Sequence, residues 1–443
     1  MVSKKRYDNY KPSGVEWLGE IPTHWKVKQL KYAVTLINNK IDAAESSLPY
    51  MGLEHIESWT GRKLDNQEAS SESTVTIYQA NDILFGKLRP YLAKVYLADD
   101  NKGLCSTEAL VLRHGKDSIP TFLKYYFLTK DFINTVDGST YGSKMPRASW
   151  DFIGSLSQLL PPLPEQQAIV SFLDERTGKI DALIAHKHQL LNLLAEKRSA
   201  LITQAVTKGL DPSVPLKPSG VEWLGDIPAH WEVKRLKHLA LKIGSGVTPT
   251  GGANVYGSQG VAFLRSQNIH FNGLKLDDVV FIDDQIDQDM KETRVHYGDI
   301  LLNITGASLG RATCFDIKNY PANVNQHVCI IRLDHNYFNF RFYTYYVSSR
   351  ALQDQIFGNQ QGVSREALNF EQLGNLLFVF PLDTEQQAIV AYLDERLQKL
   401  DAVKAALLTA IDRLKEYRSA LITSAVTGKI DVRHLQPKET LSV

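Results

Sequence analysis

The sequence predicts an α+β protein: two similar mixed α/β domains separated by two long helices that form an antiparallel coiled coil, as a pseudo-two-fold tandem duplication. Three observations carry this expectation. A block near the start recurs in mid-chain, a second block recurs near the end, and the stretches between them present strand-like runs followed by a helix in the same order.

The first block, residues 11–31 (KPSGVEWLGEIPTHWKVKQLK), returns at 217–237 with 17 of 21 positions identical. The second, residues 165–211, returns at 385–431 with 26 of 47 identical. Self-similarity at this level is the mark of a repeated structural unit. The intervening stretches, 32–163 and 238–383, share little sequence and differ by 14 residues in length. Each half is therefore a fixed frame around a variable insert.

The second block is helical by pattern. Stepping by four and three from Ile169 passes Leu173, Arg176, Ile180, Leu183, Lys187, Leu190, Leu194, Lys197 and Leu201, seven of ten apolar. The copy, from Ile389 through Leu393, Arg396, Leu400, Val403, Leu407, Ala410, Leu414 and Tyr417 to Leu421, has nine of ten apolar. An apolar residue every 3.5 positions, with no proline between, is a coiled-coil seam. Each copy follows a proline-containing stretch, carries Glu165 or Glu385 in its first turn where the helix dipole favours a carboxylate, and ends near Gly209 or Gly428. Helices of about 40 residues run about 60 Å and need a partner along their length. The other copy is the nearest one; the alternative is two amphipathic helices, each on its own core.

In the first insert DILFGKLRP, KVYLA and EALVLR read as short strands, with a helix near FLKYYFLTKDFINTV. In the second GVAFLRS, DVVFID, DILLNITG, RATCFD and HVCIIRL are strand-like, with a helix near FRFYTYYVSSRALQDQI. Asp82-Ile83-Leu84-Phe85 matches Asp299-Ile300-Leu301-Leu302, Leu110-Val111-Leu112-Arg113 matches Cys329-Ile330-Ile331-Arg332, and Gly142 matches Gly362. The inserts read as one fold with diverged surfaces.

Composition narrows the function. With 443 residues, 43% apolar and 22% charged, the chain reads as a folded soluble protein of several domains. The polar N-terminus has no apolar signal core and no window approaches a membrane span, so a cytoplasmic location is expected. Cys105, Cys314 and Cys329 show no metal-ligand spacing. No phosphate-binding loop, dinucleotide fingerprint, HExxH or GxSxG is present, and Pro161-Pro162 lacks the flanking residues of an amino-methyltransferase signature. Asp283, Asp284, Asp287 and Asp289 read as a solvated acidic turn, and His24 and His230 in IPxHW as packing residues of the frame. Neither a catalytic nor a metal site is expected. The net charge of +1 does not by itself announce a nucleic-acid binder; the first insert carries 13 basic against 15 acidic residues and the second 11 against 14.

The two PSGVEWLGxIPxHWxVKxLK starts, the two EQQAIVxxLDER helices ending in RSALIT, and the dissimilar inserts together resemble the specificity subunit of type I restriction-modification enzymes, over almost the whole chain. The resemblance implies a non-catalytic subunit that reads an asymmetric, bipartite double-stranded DNA target. It places a first target recognition domain at 1–163, a spacer helix at 164–211, a second recognition domain at 212–383, a second spacer helix at 384–431 and a tail at 432–443. It further implies docking of two modification subunits, which use S-adenosylmethionine to methylate adenine, and of restriction subunits that use ATP and magnesium to translocate and cut. This chain itself would hold no cofactor. The rival reading is a scaffold that joins two protein partners without reading DNA, slightly favoured by the near-neutral charge.

Arg and Lys suit guanine edges, Asn and Gln adenine, so polar residues in turns are the candidate readers. In the first insert these are Lys87, Arg89, Lys94, Tyr141, Ser143, Lys144 and Arg147. In the second they are Arg265, Asn268, Asn303, Thr305, Arg311, Gln326, Gln360, Gln361, Ser364 and Arg365. The loops YGSKMPR and NQQGVSR match around Gly142 and Gly362 yet differ in readable side chains.

The helix reading has a direct test. Four residues inserted between Leu190 and Glu196 add about 6 Å of helix, nearly two base pairs at ~3.4 Å each. The recognised spacer is expected to lengthen by one or two base pairs with both half-sites kept, as read by sequencing methylated positions. A changed half-site with an unchanged spacer would sink the ruler.

Overall fold

The structure is a computed structural model that describes residues 5–64, 74–99, 102–358 and 367–434. The chain divides into two compact units, Met1–His188 with Leu408–Val443, and Gln189–Leu407.

In the first unit an antiparallel sheet has the strand order Val34–Ile37, Ala109–His114, Asp82–Gly86, Val95–Leu97. A second sheet, of mixed direction, runs Lys40–Asp42, Thr74–Gln79, Lys102–Ser106, Tyr50–Met51. The frame strand Lys26–Gln29 pairs with Ser157–Leu160 at the end of the insert. In the second unit the antiparallel sheet repeats in the same order as Ala240–Ser245, Val328–Leu333, Ile300–Asn303, Ala312–Cys314. The frame pair repeats as Glu232–Arg235 with Leu377–Phe380. A further sheet differs, with Val261–Leu264 between Val280–Ile282 and Ala322–Val324.

Of the strands legible in sequence, Val95–Leu97 and Ala312–Cys314 lie at the edges, while those in runs such as Ile83-Leu84-Phe85 and Cys329-Ile330-Ile331 lie inside these sheets, buried on both faces. A buried ion pair fixes their ends. The Asp82 carboxylate, 0% exposed, receives Arg113 Nε at 2.8 Å and Nη2 at 2.9 Å. Asp299 receives Arg332 at 2.7 Å from each nitrogen. Each carboxylate also accepts a backbone N–H three residues back, from Gln79 or His296, closing the turn into its strand.

Each stretch expected to form one helix is two. Pro120–Phe127 and Lys130–Asp137 break at Thr129; Phe340–Ser348 and Arg350–Gly358 break at Ser349. Both hydroxyls are buried and donate to the carbonyl three residues earlier, of Tyr126 and Tyr346. Such a back-bond offers the backbone an alternative to the helix ladder. The acidic turn also departs from expectation at Asp287, which is buried, bonds Arg294 Nε at 2.7 Å and accepts from Asn323.

The long helices are Leu163–Lys208 and Asp383–Val426, closed by Gly209 and Gly428 at φ +72° and +71°. In the first unit Ile169–Leu173 pack with Ile422–Val426, and Asp181 pairs with Arg418 at 2.9 Å. In the second unit Ile202–Val206 pack with Ile389–Leu397, and Arg198 pairs with Asp401 at 3.0 Å. Higher numbers on one helix meet lower numbers on the other, so the pairing is antiparallel. The seam, however, differs from the expected one at alternate positions, where Arg176, Leu183, Leu190 and Lys197 give way to the next residue while Ile180, Lys187 and Leu194 hold. Thr177, Ile180, Ile184, Lys187, Leu191, Leu194 and Arg198 face inward, while Leu183 and Leu190 are exposed; Val403 and Tyr417 are exposed likewise. Where the helix lies on its module it advances by fours (Ile169, Leu173, Thr177), and that one stutter moves every second seam position that follows.

The buried ion pairs give a stability test. Arg332→Ala leaves Asp299 buried without its counter-charge and is expected to destabilise the second unit by about 3–5 kcal/mol. A lowered urea midpoint reads this, and replacing both residues by Leu and Met should recover most of the loss.

Candidate nucleic-acid interface

The frame holds each module onto its long helix through one carboxylate. Glu165 is buried and accepts from Tyr7 Oη at 2.5 Å, Trp25 Nε1 at 3.0 Å and, at 2.8 Å, pairs with His24 Nε2. Burial, then the bond to Glu165, pushes the Tyr7 phenol far above its ordinary pKa, so it stays a donor. Glu385 repeats the set with His230 at 2.9 Å and Trp231 Nε1 at 3.2 Å. The next residue completes the clamp: Gln166 Oε1 receives Ile119 N, and Gln386 Oε1 receives Asn339 N, both at 2.8 Å. Tyr125 and Tyr345 each donate at 2.6 Å to the helix, to Asp174 and Asp394. The repeated EQQ and LDER motifs are thus anchoring chemistry. A role for His24 and His230 in the frame's packing agrees with this geometry.

With the frame fixed, both modules present the same edge. Past Asp82–Gly86 the chain pairs Leu88 with Arg147, and Ala148 N donates to Lys87 O at 3.0 Å. Past Ile300–Asn303 it pairs Thr305 with Ala367, and Leu368 N donates to Ile304 O at 2.9 Å. These are backbone bonds, so the edge keeps its shape whatever side chains it carries.

In the first module Tyr141 and Arg147 exchange backbone bonds and Gly142, at φ +91°, turns the hairpin between them. Arg89 adopts φ +49° at the same edge. The side chains of Lys87, Arg89, Ser143 and Lys144 have no partner among the described residues. Tyr141 is 65% exposed, with Tyr91 and Met145 also open to solvent. Arg147 is already forked on Glu108, its Nε at 3.0 Å from Oε2 and Nη2 at 3.1 Å from Oε1. Lys94 turns inward and donates to Leu53 O at 2.6 Å, and burial lowers its ammonium pKa. It is thereby removed from the candidate face.

The second module sorts its candidates in the same way. Asn268 and Asn303 were expected as readers, but both are fully buried. Asn268 accepts from Arg265 N and donates to Lys275 O and Asp278, while Asn303 donates to Ser266 O. They tie loops together. Arg265 is half-buried, donates to Asp278 O at 3.0 Å and lies over the Tyr256 ring. Thr305, Arg311 and Gln326 remain at the edge, and the Arg311 guanidinium has no partner among the described residues. Gln360, Gln361, Ser364 and Arg365 lie outside the described residues. The structure adds two residues at this edge that sequence reasoning missed: His327, bonded to Thr305 Oγ1 at 2.7 Å, and Thr248, bonded to Gln326. Neither lies in a motif that signals it.

A duplicated frame carrying two unlike polar edges is the architecture of a protein that recognises two sites. Comparison with known proteins gives the family. The model described as type I restriction modification DNA specificity domain matches residues 22–193 and again 228–413, more than half of the chain. The chain belongs to that family and carries its domain twice. It is 22% identical over 361 residues to the type I restriction enzyme EcoBI specificity subunit of Escherichia coli, covering 79% of this chain and 73% of that protein. It is 23% identical over 449 residues to the putative type I restriction enzyme MjaX specificity subunit of Methanocaldococcus jannaschii, covering 96% and 97%. Among solved structures, a chain described under complex assembly and conformational transition of the type I R-M system superposes with TM-score 0.64 at 20% identity, covering 92% of this chain and 98% of that one. That likeness concerns the fold. No described helix is long and apolar enough to cross a membrane.

The contrast between two lysines tests the face. Lys87→Ala is expected to weaken duplex binding and to reduce the slope of log affinity against log salt by about 1, as loss of one phosphate contact does. Lys94→Ala should leave that slope unchanged and lower thermal stability instead. Equal effects on the slope, measured by salt titration, would contradict the assignment.

Proposed function

We propose that this chain is the DNA-specificity subunit of a type I restriction-modification complex acting in the cytoplasm, with each module reading one half of an asymmetric bipartite target. The observation that carries the reading is the edge at Leu88/Arg147 and Thr305/Ala367: identical backbone pairing in both modules, with different side chains displayed. A duplex has two-fold backbone symmetry, so two modules of one fold suit two half-sites, and unlike edges suit unlike bases. Lys87, Arg89 and Lys144, which have no partner among the described residues, supply locally the positive charge that the nearly neutral chain lacks overall. Exposed apolar side chains on the long helices, Leu183 and Tyr417 in the first unit and Leu193 and Val403 in the second, support docking of two modification subunits. Those subunits would bring S-adenosylmethionine and methylate adenine N6; restriction subunits would bring ATP and magnesium. This chain would contribute recognition and assembly, with no cofactor of its own.

The near-neutral charge favours a second reading, a scaffold without DNA reading. One exchange decides between them. Replacing residues 32–160 by the first insert of another family member is expected to change one half-site and keep the other, as mapped by sequencing methylated positions. An unchanged target would favour the scaffold, and simultaneous change of both half-sites would refute the two-reader division.

A further inference from the structure

At the edge of the second module four polar side chains form one hydrogen-bonded relay. Thr248 Oγ1 donates to Gln326 Oε1; Gln326 Nε2 lies 3.2 Å from His327 Nε2; His327 Nδ1 lies 2.7 Å from Thr305 Oγ1. The backbone that carries them is closely fitted. Gly246 stands where a Cβ would fall 1.7 Å from the Val324 carbonyl oxygen, so only glycine lets the Thr248 loop lie against the turn before Val328–Leu333. That turn is pinned in its own right, by Asn325 N to Leu264 O at 3.1 Å and Ile304 N to His327 O at 3.0 Å.

The relay has a direction. With Gln326 Oε1 taken by Thr248, its amide nitrogen faces His327 Nε2, which must then be the acceptor. The imidazole proton therefore sits on Nδ1 and goes to Thr305 Oγ1, which leaves the Thr305 hydroxyl proton with no partner among the described residues. The second N–H of Gln326 likewise has no partner among the described residues. Thr248 and Gln326 are exposed, Thr305 and His327 half-exposed. The relay thus presents two donors among the described residues, and the Gln326 amide is held with its oxygen turned onto Thr248 and its nitrogen toward His327.

This constrains which base edge fits. Gln reads adenine by donating to N7 and accepting from N6, which requires its Oε1. Guanine presents two acceptors, N7 and O6, in the major groove. We propose that Thr248 is a specificity-determining positioning residue of the second module: by holding Gln326 Oε1 it commits Gln326 and Thr305 to a guanine in the second half-site and rejects adenine there. The inference rests on the DNA-reading function proposed above and deepens it to one base.

The test is the methylated sequence motif in cells carrying the chain with its modification subunits. In the wild type one position of the second half-site is a guanine, with a preference over adenine on the order of 10–100-fold. Thr248→Val frees Oε1, so that preference should fall to within a few fold while every other position holds. Thr305→Val removes one donor and should weaken methylation at that site without admitting adenine. An unchanged motif in Thr248→Val overturns the proposal, as does a wild-type position that selects a base with an amino group in the groove. A wild-type chain that directs methylation to no fixed sequence would instead overturn the DNA-reading function, so the two failures are told apart.

Discussion

Every other feature of each module depends on one carboxylate at the start of a long helix, buried at Glu165 and half-buried at Glu385. Glu165 and Glu385 join the indole, the imidazole and, in the first unit, the Tyr7 phenol to the helix N-terminus, where the dipole also favours negative charge. Burying a carboxylate is costly unless its lone pairs are filled, and these are. The Gln that follows and the Asp nine residues on then bind the insert's own helices. A module cannot rotate about its helix without breaking this set, so the recognition edge inherits its orientation from the frame.

The two units are not equivalent in how the helix pair is finished. In the first, Arg418 is buried, forks onto Asp181 and also donates to the Trp59 carbonyl at 3.0 Å, so a loop of the insert rests on the helices. In the second, the equivalent Arg198–Asp401 pair has its carboxylate more than half exposed. An exposed pair contributes about 0–1 kcal/mol, whereas a buried one becomes costly to disrupt. The same motif residues therefore do different mechanical work in the two copies.

The fold was legible where burial made the pattern strong. Ile300–Asn303 and Val328–Leu333 are apolar runs bounded by turns, and the duplication itself exposed the architecture. The breaks at Thr129 and Ser349 were not legible, because a hydroxyl's choice between solvent and its own backbone is settled by burial. The seam slipped for a related reason: the stutter at Leu173–Thr177 arises from packing on the module, which no heptad count along one helix contains. At the candidate site, residue type alone could not separate Lys87 from Lys94, or Gln326 from Asn268. Each pair shares its chemistry and differs only in which way the fold turns it. Thr248 lies 78 residues from Gln326 in the chain and enters the site only through the close approach at Gly246.

The backbone pairing at Leu88/Arg147 and Thr305/Ala367 has a consequence for how such a protein changes over time. Because the edge is held by main-chain groups, substitution of its side chains carries little folding penalty, while the frame residues that meet buried charges tolerate almost none. Drift is thereby channelled to the displayed surface. A lineage could pass through many recognition variants without an unstable intermediate, its scaffold remaining recognisable long after its inserts have ceased to resemble one another.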